Sequence, residues 1–145
     1  MKVPTSRFGT IEIREDQVIY VPLGLIGFPN QKRYVLLEHK KGSPFFWFQA
    51  LDDESLAFVL IDPLLFEPGY EFQIGSDDRK VLELSDSCEG LQIWVIVNIK
   101  PGDPLEVTAN LLGPLVMNPR KQLAKQVVLH QSSYSTRHPI PTVKK

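Results

Sequence analysis

Turn-forming residues cut this chain into short apolar runs, and that limits the folds open to it. The longest uninterrupted apolar run, Leu56 to Ile61, falls far below the ~18 residues of a membrane span. Twelve prolines, most of them between apolar runs, mark the breaks. Short strands separated by turn chemistry favour a sandwich or a barrel.

Taken in order, Phe8 to Ile13 alternates apolar residues as a strand does. Arg14-Glu15-Asp16-Gln17 turns it, and Val18 to Val21 is expected to pair back as a hairpin. Pro22 to Pro29 is a loop in which Gly24 and Gly27 permit positive φ and the prolines remove backbone donors. Tyr34 to Glu38 and the aromatic-rich Phe45 to Ala50 follow, the latter expected to be central. Asp52-Asp53-Glu54 then connects to Leu56–Ile61 in the most secure hairpin of the sequence.

Asp62-Pro63 stops that strand. Tyr70 to Ile74 reads as a short strand. Ser76-Asp77-Asp78 reads as a helix start, with a capping serine and acids in the first turn, leading one or two turns from Arg79 to Leu84. Leu91–Ile99, Leu105–Leu112, Leu115–Met117 and Val127–His130 complete the strands, the last closing the sheet. The expected fold is all-β: a single-domain antiparallel barrel or roll of about ten short strands with one short helix. Residues 1–131 form that domain. Residues 132–145 are set apart as a polar tail whose last ten residues are candidates for disorder.

Apolar residues make up 43% and charged residues 23% of the 145 residues, ordinary for one globular domain that needs no staple. Cys88 is the only cysteine, which excludes an internal disulfide and favours a reducing compartment. Met1 to Arg7 lacks the apolar core of a signal peptide, so a cytoplasmic protein is expected, with no membrane association.

The net charge of -1 conceals an asymmetry. Residues 52–90 hold eleven Asp/Glu against two Lys/Arg, a balance of -9, between flanks of +3 and +5. Such a segment repels nucleic acid and attracts a basic partner, unless it is only a solvated surface.

Chemistry-bearing patterns are sparse. His39, His130 and His138 stand at no zinc spacing with one another or with Cys88, so no metal or cofactor is expected. His130 lies near Ser132 without a nucleophile-elbow context, and no catalytic residue is assigned. Gly24-Leu25-Ile26-Gly27 has neither a dinucleotide nor a P-loop pattern. Paired acids such as Asp52-Asp53 and Asp77-Asp78 sit in predicted turns with no apolar wall to raise a pKa. Phe45, Phe46, Trp47 and Phe48 could stack bases, but no basic residues interleave with them, so core packing is the better reading.

Several stretches, in order, carry a resemblance. Val21-Pro22-Leu23-Gly24-Leu25-Ile26-Gly27-Phe28 is a proline/glycine loop ending in Gly-Phe. Pro44-Phe45-Phe46-Trp47-Phe48-Gln49-Ala50-Leu51-Asp52-Asp53 runs on to Leu56-Ala57-Phe58 and Asp62-Pro63 as an aromatic-Gln hairpin. Thr108-Ala109-Asn110-Leu111-Leu112-Gly113-Pro114-Leu115 and Gln126-Val127-Val128-Leu129, followed by Tyr134 and Arg137, complete the set. Together they resemble the flagellar assembly factor family, the FliW-type antagonists of CsrA. Phe48 stands where that family often has Leu, and Gly113 where Ala is common.

The resemblance implies a non-enzymatic, cofactor-free cytoplasmic protein, monomeric when free. It implies binding to newly made flagellin and to CsrA, a small RNA-binding translational regulator. On export of flagellin the freed factor binds CsrA and relieves repression of flagellin translation. The other classes compatible with the residues are a nucleic-acid-binding barrel and a small hydrolase. Under the leading reading the chain does not bind RNA itself, and some of Asp52, Asp53, Glu54, Glu67, Glu71, Asp77 and Asp78 face the basic regulator.

Overall fold

Residues 1–84, 90–102, 105–130 and 132–140 are described by a computed structural model. Strands form where apolar residues alternate, and the alternation decides which face of each strand turns inward. The first two strands, β1 (Lys2–Thr5) and β2 (Gly9–Glu12), pair with each other as a separate hairpin. The larger sheet comprises β3 (Val18–Tyr20), β4 (Arg33–Glu38), β5 (Phe46–Ala50), β6 (Ala57–Ile61), β7 (Gln92–Lys100), β8 (Glu106–Ala109), β9 (Leu115–Asn118), β10 (Leu123–Gln126) and β11 (His138–Pro139). The one α-helix among the described residues is α1 (Ser76–Val81).

Strand order in the large sheet is β11-β8-β7-β6-β5-β4-β3-β10-β9, and β9 returns to pair with β7. That return closes a ring of seven strands, β3 to β7 with β9 and β10, and leaves β8 and β11 as a branch. All pairings are antiparallel except β3 with β10, which meet at Tyr20 and Leu123. Closure removes most of the edges an open sheet would expose.

Strand β7 shares one edge between two partners. Trp94 pairs with Leu115 of β9 and Val97 with Ala109 of β8, so two residues of β7 face the five residues 110–114. Those five form an extended bulge, tied at its start by the Asn110 N–H to the Ile96 carbonyl at 2.9 Å.

The barrel lining consists of alternate residues: Tyr34 on β4, Phe48 and Ala50 on β5, Leu60 on β6, Leu115 and Met117 on β9, and Ala124 on β10. Tyr34 and Phe48 stack with ring centroids 4.4 Å apart. Three clusters cover the outside, two of them adjoining through Phe72, Ile93 and Leu129. The β1–β2 hairpin lays Val3 and Ile13 over Val18 and Val35. Tyr70 and Leu111 pack over Ile61, Val95 and Val97. Leu82 packs over Val116 and Val127.

The all-β barrel expectation holds, with differences in detail. Phe8–Ile13 was expected to pair with Val18–Val21. Instead β2 pairs with β1, because Ile11 and Ile13 find apolar partners by lying across β3 and β4 rather than beside them. Tyr70–Ile74 forms no strand, since it crosses the outside of the barrel with Phe72 and Ile74 packed on that wall. The closing strand lies at Leu123–Gln126, not Val127–His130. Val127 and Leu129 donate instead to the carbonyls of Pro114 and Leu112 on the bulge.

The expected strand Leu105–Leu112 ends at Ala109, where the bulge begins. Gly75, not Ser76, occupies the cap position of α1. Residues 132–140, set apart above as a polar tail, add β11 to the edge of β8 and bring Tyr134 against Tyr70. Residues 141–145 and Cys88 lie outside the described residues. No helix among the described residues is long and apolar enough to cross a membrane.

Candidate functional site

Two loops converge at one end of the barrel. Strands β3 to β6 run alternately up and down, so the β3–β4 loop and the β5–β6 turn share that end. Within the β3–β4 loop, Leu25 is buried at 2% exposure and packs into the barrel lining. Gly24 has φ +69, and a Cβ there would lie 2.5 Å from the Phe28 carbonyl and the Pro29 Cα, so a side chain is excluded.

The Gln126 side chain ties this loop to the bulge. Its Oε1 accepts from the Ile26 N–H at 2.9 Å, and its Nε2 donates to the Gly113 carbonyl at 3.0 Å. Asn110 Oδ1 accepts the Gly113 N–H at 2.9 Å and holds the bulge itself. On this frame Leu23, Ile26 and Phe28 stand out at 58%, 63% and 38% exposure. Phe28 rests edge-on against Phe58 at 5.3 Å. Exposed apolar side chains on a fixed frame are the chemistry of protein contact.

The seven acids named from sequence fall in three places. Asp52, Asp53 and Glu54 occupy the β5–β6 turn, at the same end as Leu23–Phe28. Arg33 meets Asp52 through two contacts of 2.6 and 3.0 Å. The hydrogen-bonded guanidinium holds the Asp52 carboxyl below its usual range, and Asp52 raises Arg33 in return. Asp53 Oδ1 accepts from the Ser55 N–H and Oγ. Buried Gln49 braces the same turn, the two N–H groups of its Nε2 shared among the carbonyls of Ala50, Asp53, Glu54 and Leu56, which surround it at 3.0 to 3.4 Å. The glutamine of the aromatic-Gln hairpin is therefore a turn brace.

Glu67 and Glu71 lie on the outer cover, Glu67 paired with His138 at 3.5 Å. Asp77 and Asp78 lie on α1, with Asp78 ion-paired to Lys125 of β10. In the ring, β10 stands three strands from β5, across the barrel. Glu54, Glu71 and Asp77 carry no side-chain partner among the described residues, whereas Asp52, Asp53, Glu67 and Asp78 do.

Beside α1 runs a groove of about 500 Å³ between residues 71–75 on one side and 127–130, Ser132 and Tyr134 on the other. It continues past Gly75, Asp78 and Val128 to Asp77, Lys125 and Gln126. Ser132 Oγ donates there to the Leu129 carbonyl and accepts from the Tyr134 N–H, and no hydrogen bond joins it to His130. Among the described residues no three His, Cys, Asp or Glu are grouped to hold a metal ion.

The aromatic run is occupied internally. Phe48 lines the barrel, Phe46 meets Trp94, and Trp47 lies under the Arg7 guanidinium at 4.7 Å while its Nε1–H donates to His39 Nδ1. Asn110 and Gln126 both lie in stretches that carry the family resemblance, but the clamp that Gln126 makes is not legible locally, because it appears only when two loops a hundred residues apart meet.

The model of the FliW protein family matches residues 2–140. The chain is 43% identical over 140 residues to a flagellar assembly factor FliW of Natranaerobius thermophilus, covering 97% of this chain and 92% of that one. It is 37% identical over 141 residues to the Bacillus subtilis protein of that name, covering 97% and 96%. A crystal structure of the flagellar assembly factor FliW superposes with a TM-score of 0.85 at 32% identity, covering 96% of each chain. A barrel closed through β7 and a family match from residue 2 to residue 140 make this chain a member of the FliW family of flagellar assembly factors.

Proposed function

We propose that the protein is a cytoplasmic, non-catalytic binding factor with two alternative partners, flagellin and a CsrA-type RNA-binding regulator. Captured flagellin occupies it before export. Once released, it binds the regulator and relieves repression of flagellin translation. The match to flagellar assembly factors along nearly the entire chain carries this reading.

Two surface features support it. The rim of Leu23, Ile26 and Phe28 offers apolar anchors suited to an exposed helical segment of a client. Glu54, Glu71 and Asp77 offer carboxylates with no internal partner to a regulator that must be basic where it holds RNA. Residues 45–48 are engaged by contacts within the chain, which speaks against their serving as a stacking platform for nucleic acid.

The test is stopped-flow association with each purified partner across salt concentrations. Neutralising Glu54, Glu71 and Asp77 together is expected to slow binding of the regulator and flatten its salt dependence, leaving flagellin nearly unchanged. Ile26→Ser is expected to do the reverse, weakening flagellin by about 1–2 kcal/mol through faster dissociation. Absence of binding to both partners would remove the reading.

A further inference from the structure

The groove beside α1 has walls of a particular kind. On one side Val127 and Leu129 donate their N–H groups to Pro114 and Leu112. In an extended chain successive residues turn their backbone groups to opposite edges. The N–H and carbonyl of Val128 therefore face away from the bulge, and Val128 lines the groove along its length.

The opposite wall is residues 71–75. Exposure alternates there with a period of two: Phe72 and Ile74 pack inward, while Glu71, Gln73 and Gly75 are exposed. Both backbone groups of Glu71 bond to the Tyr134 hydroxyl, at 3.3 and 3.2 Å, so they point across the groove. By the same periodicity the backbone groups of Gln73 point that way too. Neither Gln73 nor Val128 has a backbone partner among the described residues.

We infer that this groove is a strand-docking slot, which takes an extended peptide segment of a protein partner that carries Lys or Arg among apolar residues. The occupant hydrogen-bonds the Val128 edge as an added strand and meets Gln73 from the other wall. Its charge follows from the two ends of the slot. Glu71 stands unpaired at one end and Asp77 at the other, while the lysine present, Lys125, is already paired with Asp78. The slot reaches Gln126, so a docked strand touches the residue that holds the Leu23–Phe28 loop. The inference stands on backbone geometry and does not depend on which proteins the chain serves.

The test titrates the isotopically labelled full chain with a synthetic peptide of alternating lysine and valine, following amide shifts and hydrogen exchange. The expected result is shifts and at least about tenfold slower exchange at Gln73 and Val128. The same peptide N-methylated at alternate residues should fail to bind, a control that needs no change to the protein. Val128→Pro should abolish binding while Val128→Ala retains it. Glu71→Gln with Asp77→Asn should weaken binding about fivefold at low salt.

Equal binding of the N-methylated peptide, or shifts confined to Leu23–Phe28, would overturn the proposal. So would concentration-dependent self-association that protects Val128 without peptide, since the slot would then serve a second copy. Flagellin and the regulator are absent from the titration, so its failure leaves the proposed function standing, and the converse also holds.

Discussion

The lining of the barrel and the cover around it obey different rules. The lining is one continuous apolar cluster, supplied mainly by every second residue of paired strands, with Val21 and Leu25 added from the β3–β4 loop. The cover is three clusters, each sealed by a different device: a hairpin, an irregular crossing segment and a single short helix. In the lining the backbone is satisfied by ladders. In the cover it is satisfied one group at a time, as when the Ser135 carbonyl takes the Leu111 N–H. The exposed apolar loop, the unpartnered acids and the unpaired backbone edges all belong to the cover or the rim. The lining holds the shape, and the surface features lie where regular pairing stops.

Two neighbours on β5 put this contrast at its largest. Phe48 points into the lining and is fully buried, stacked on Tyr34. Trp47 points outward, partly buried between Phe8, His39 and Arg7. Phe48→Ala is expected to cost about 3–5 kcal/mol, because the closed ring cannot collapse onto the hole. Trp47→Ala should cost about 1–2 kcal/mol, the value of its ring and cation contacts. Urea unfolding of both variants measures the difference. Equal losses would mean that the cover is packed as tightly as the lining.

The same division explains what the sequence discloses. The β5–β6 hairpin is legible because Phe46 to Ala50 and Ala57 to Ile61 carry strand-forming residues around a turn-forming Asp52-Asp53. Tyr70–Ile74 misleads for a physical reason. Its alternation is real, but it serves packing on the outside of the barrel, and no neighbouring strand takes its backbone. Lys2–Thr5 carries one apolar side chain, Val3, beside a proline, too little to mark a strand locally, and its strand shows only in the pairing of Val3 with Ile11. Of the site, the glycine loop and the acids can be read locally. The Gln126 clamp and the groove cannot, since each joins segments some fifty to a hundred residues apart.

Two buried tyrosines sharpen the comparison at intermediate size. Tyr70, in the cover, donates its hydroxyl to the Leu111 carbonyl at 2.6 Å. Tyr34, in the lining, is fully buried and its hydroxyl has no partner among the described residues. Tyr70→Phe is expected to cost about 1–2 kcal/mol by orphaning a buried carbonyl. Tyr34→Phe should be neutral or stabilising by up to about 1 kcal/mol.

Alkaline pH separates the two tyrosines from the rest of the fold. Burial pushes the Tyr34 phenol up to about 12 and raises Tyr70 as well. A raised phenol keeps its proton in the folded state after the unfolded chain has lost it at about 10. Stability is therefore full below about 10 and falls as pH rises towards 12, by about 2–3 kcal/mol for Tyr34. Tyr34→Phe should remove that share and move alkaline unfolding to higher pH. An unchanged alkaline transition would show that Tyr34 reaches solvent.

The smallest effect belongs to Arg33 and Asp52 on the rim. The pair is bidentate, yet the two side chains are 41% and 50% exposed, so water and salt screen most of its attraction. Asp52→Asn should therefore cost no more than about 0.5 kcal/mol at neutral pH. Its pH dependence has a definite sign. Arg33 lowers the Asp52 carboxyl, so the contribution is present above the ordinary carboxylate pKa of about 4 and vanishes as pH falls through the lower folded value. Parent and variant should thus differ slightly at pH 7, converge in acid, and converge at neutral pH when salt is raised to about 1 M. Urea midpoints under these conditions decide it. A loss above about 1 kcal/mol that survives high salt would mean that the rim is held as the lining is, with Asp52 serving the β5–β6 turn through fixed geometry rather than screened charge.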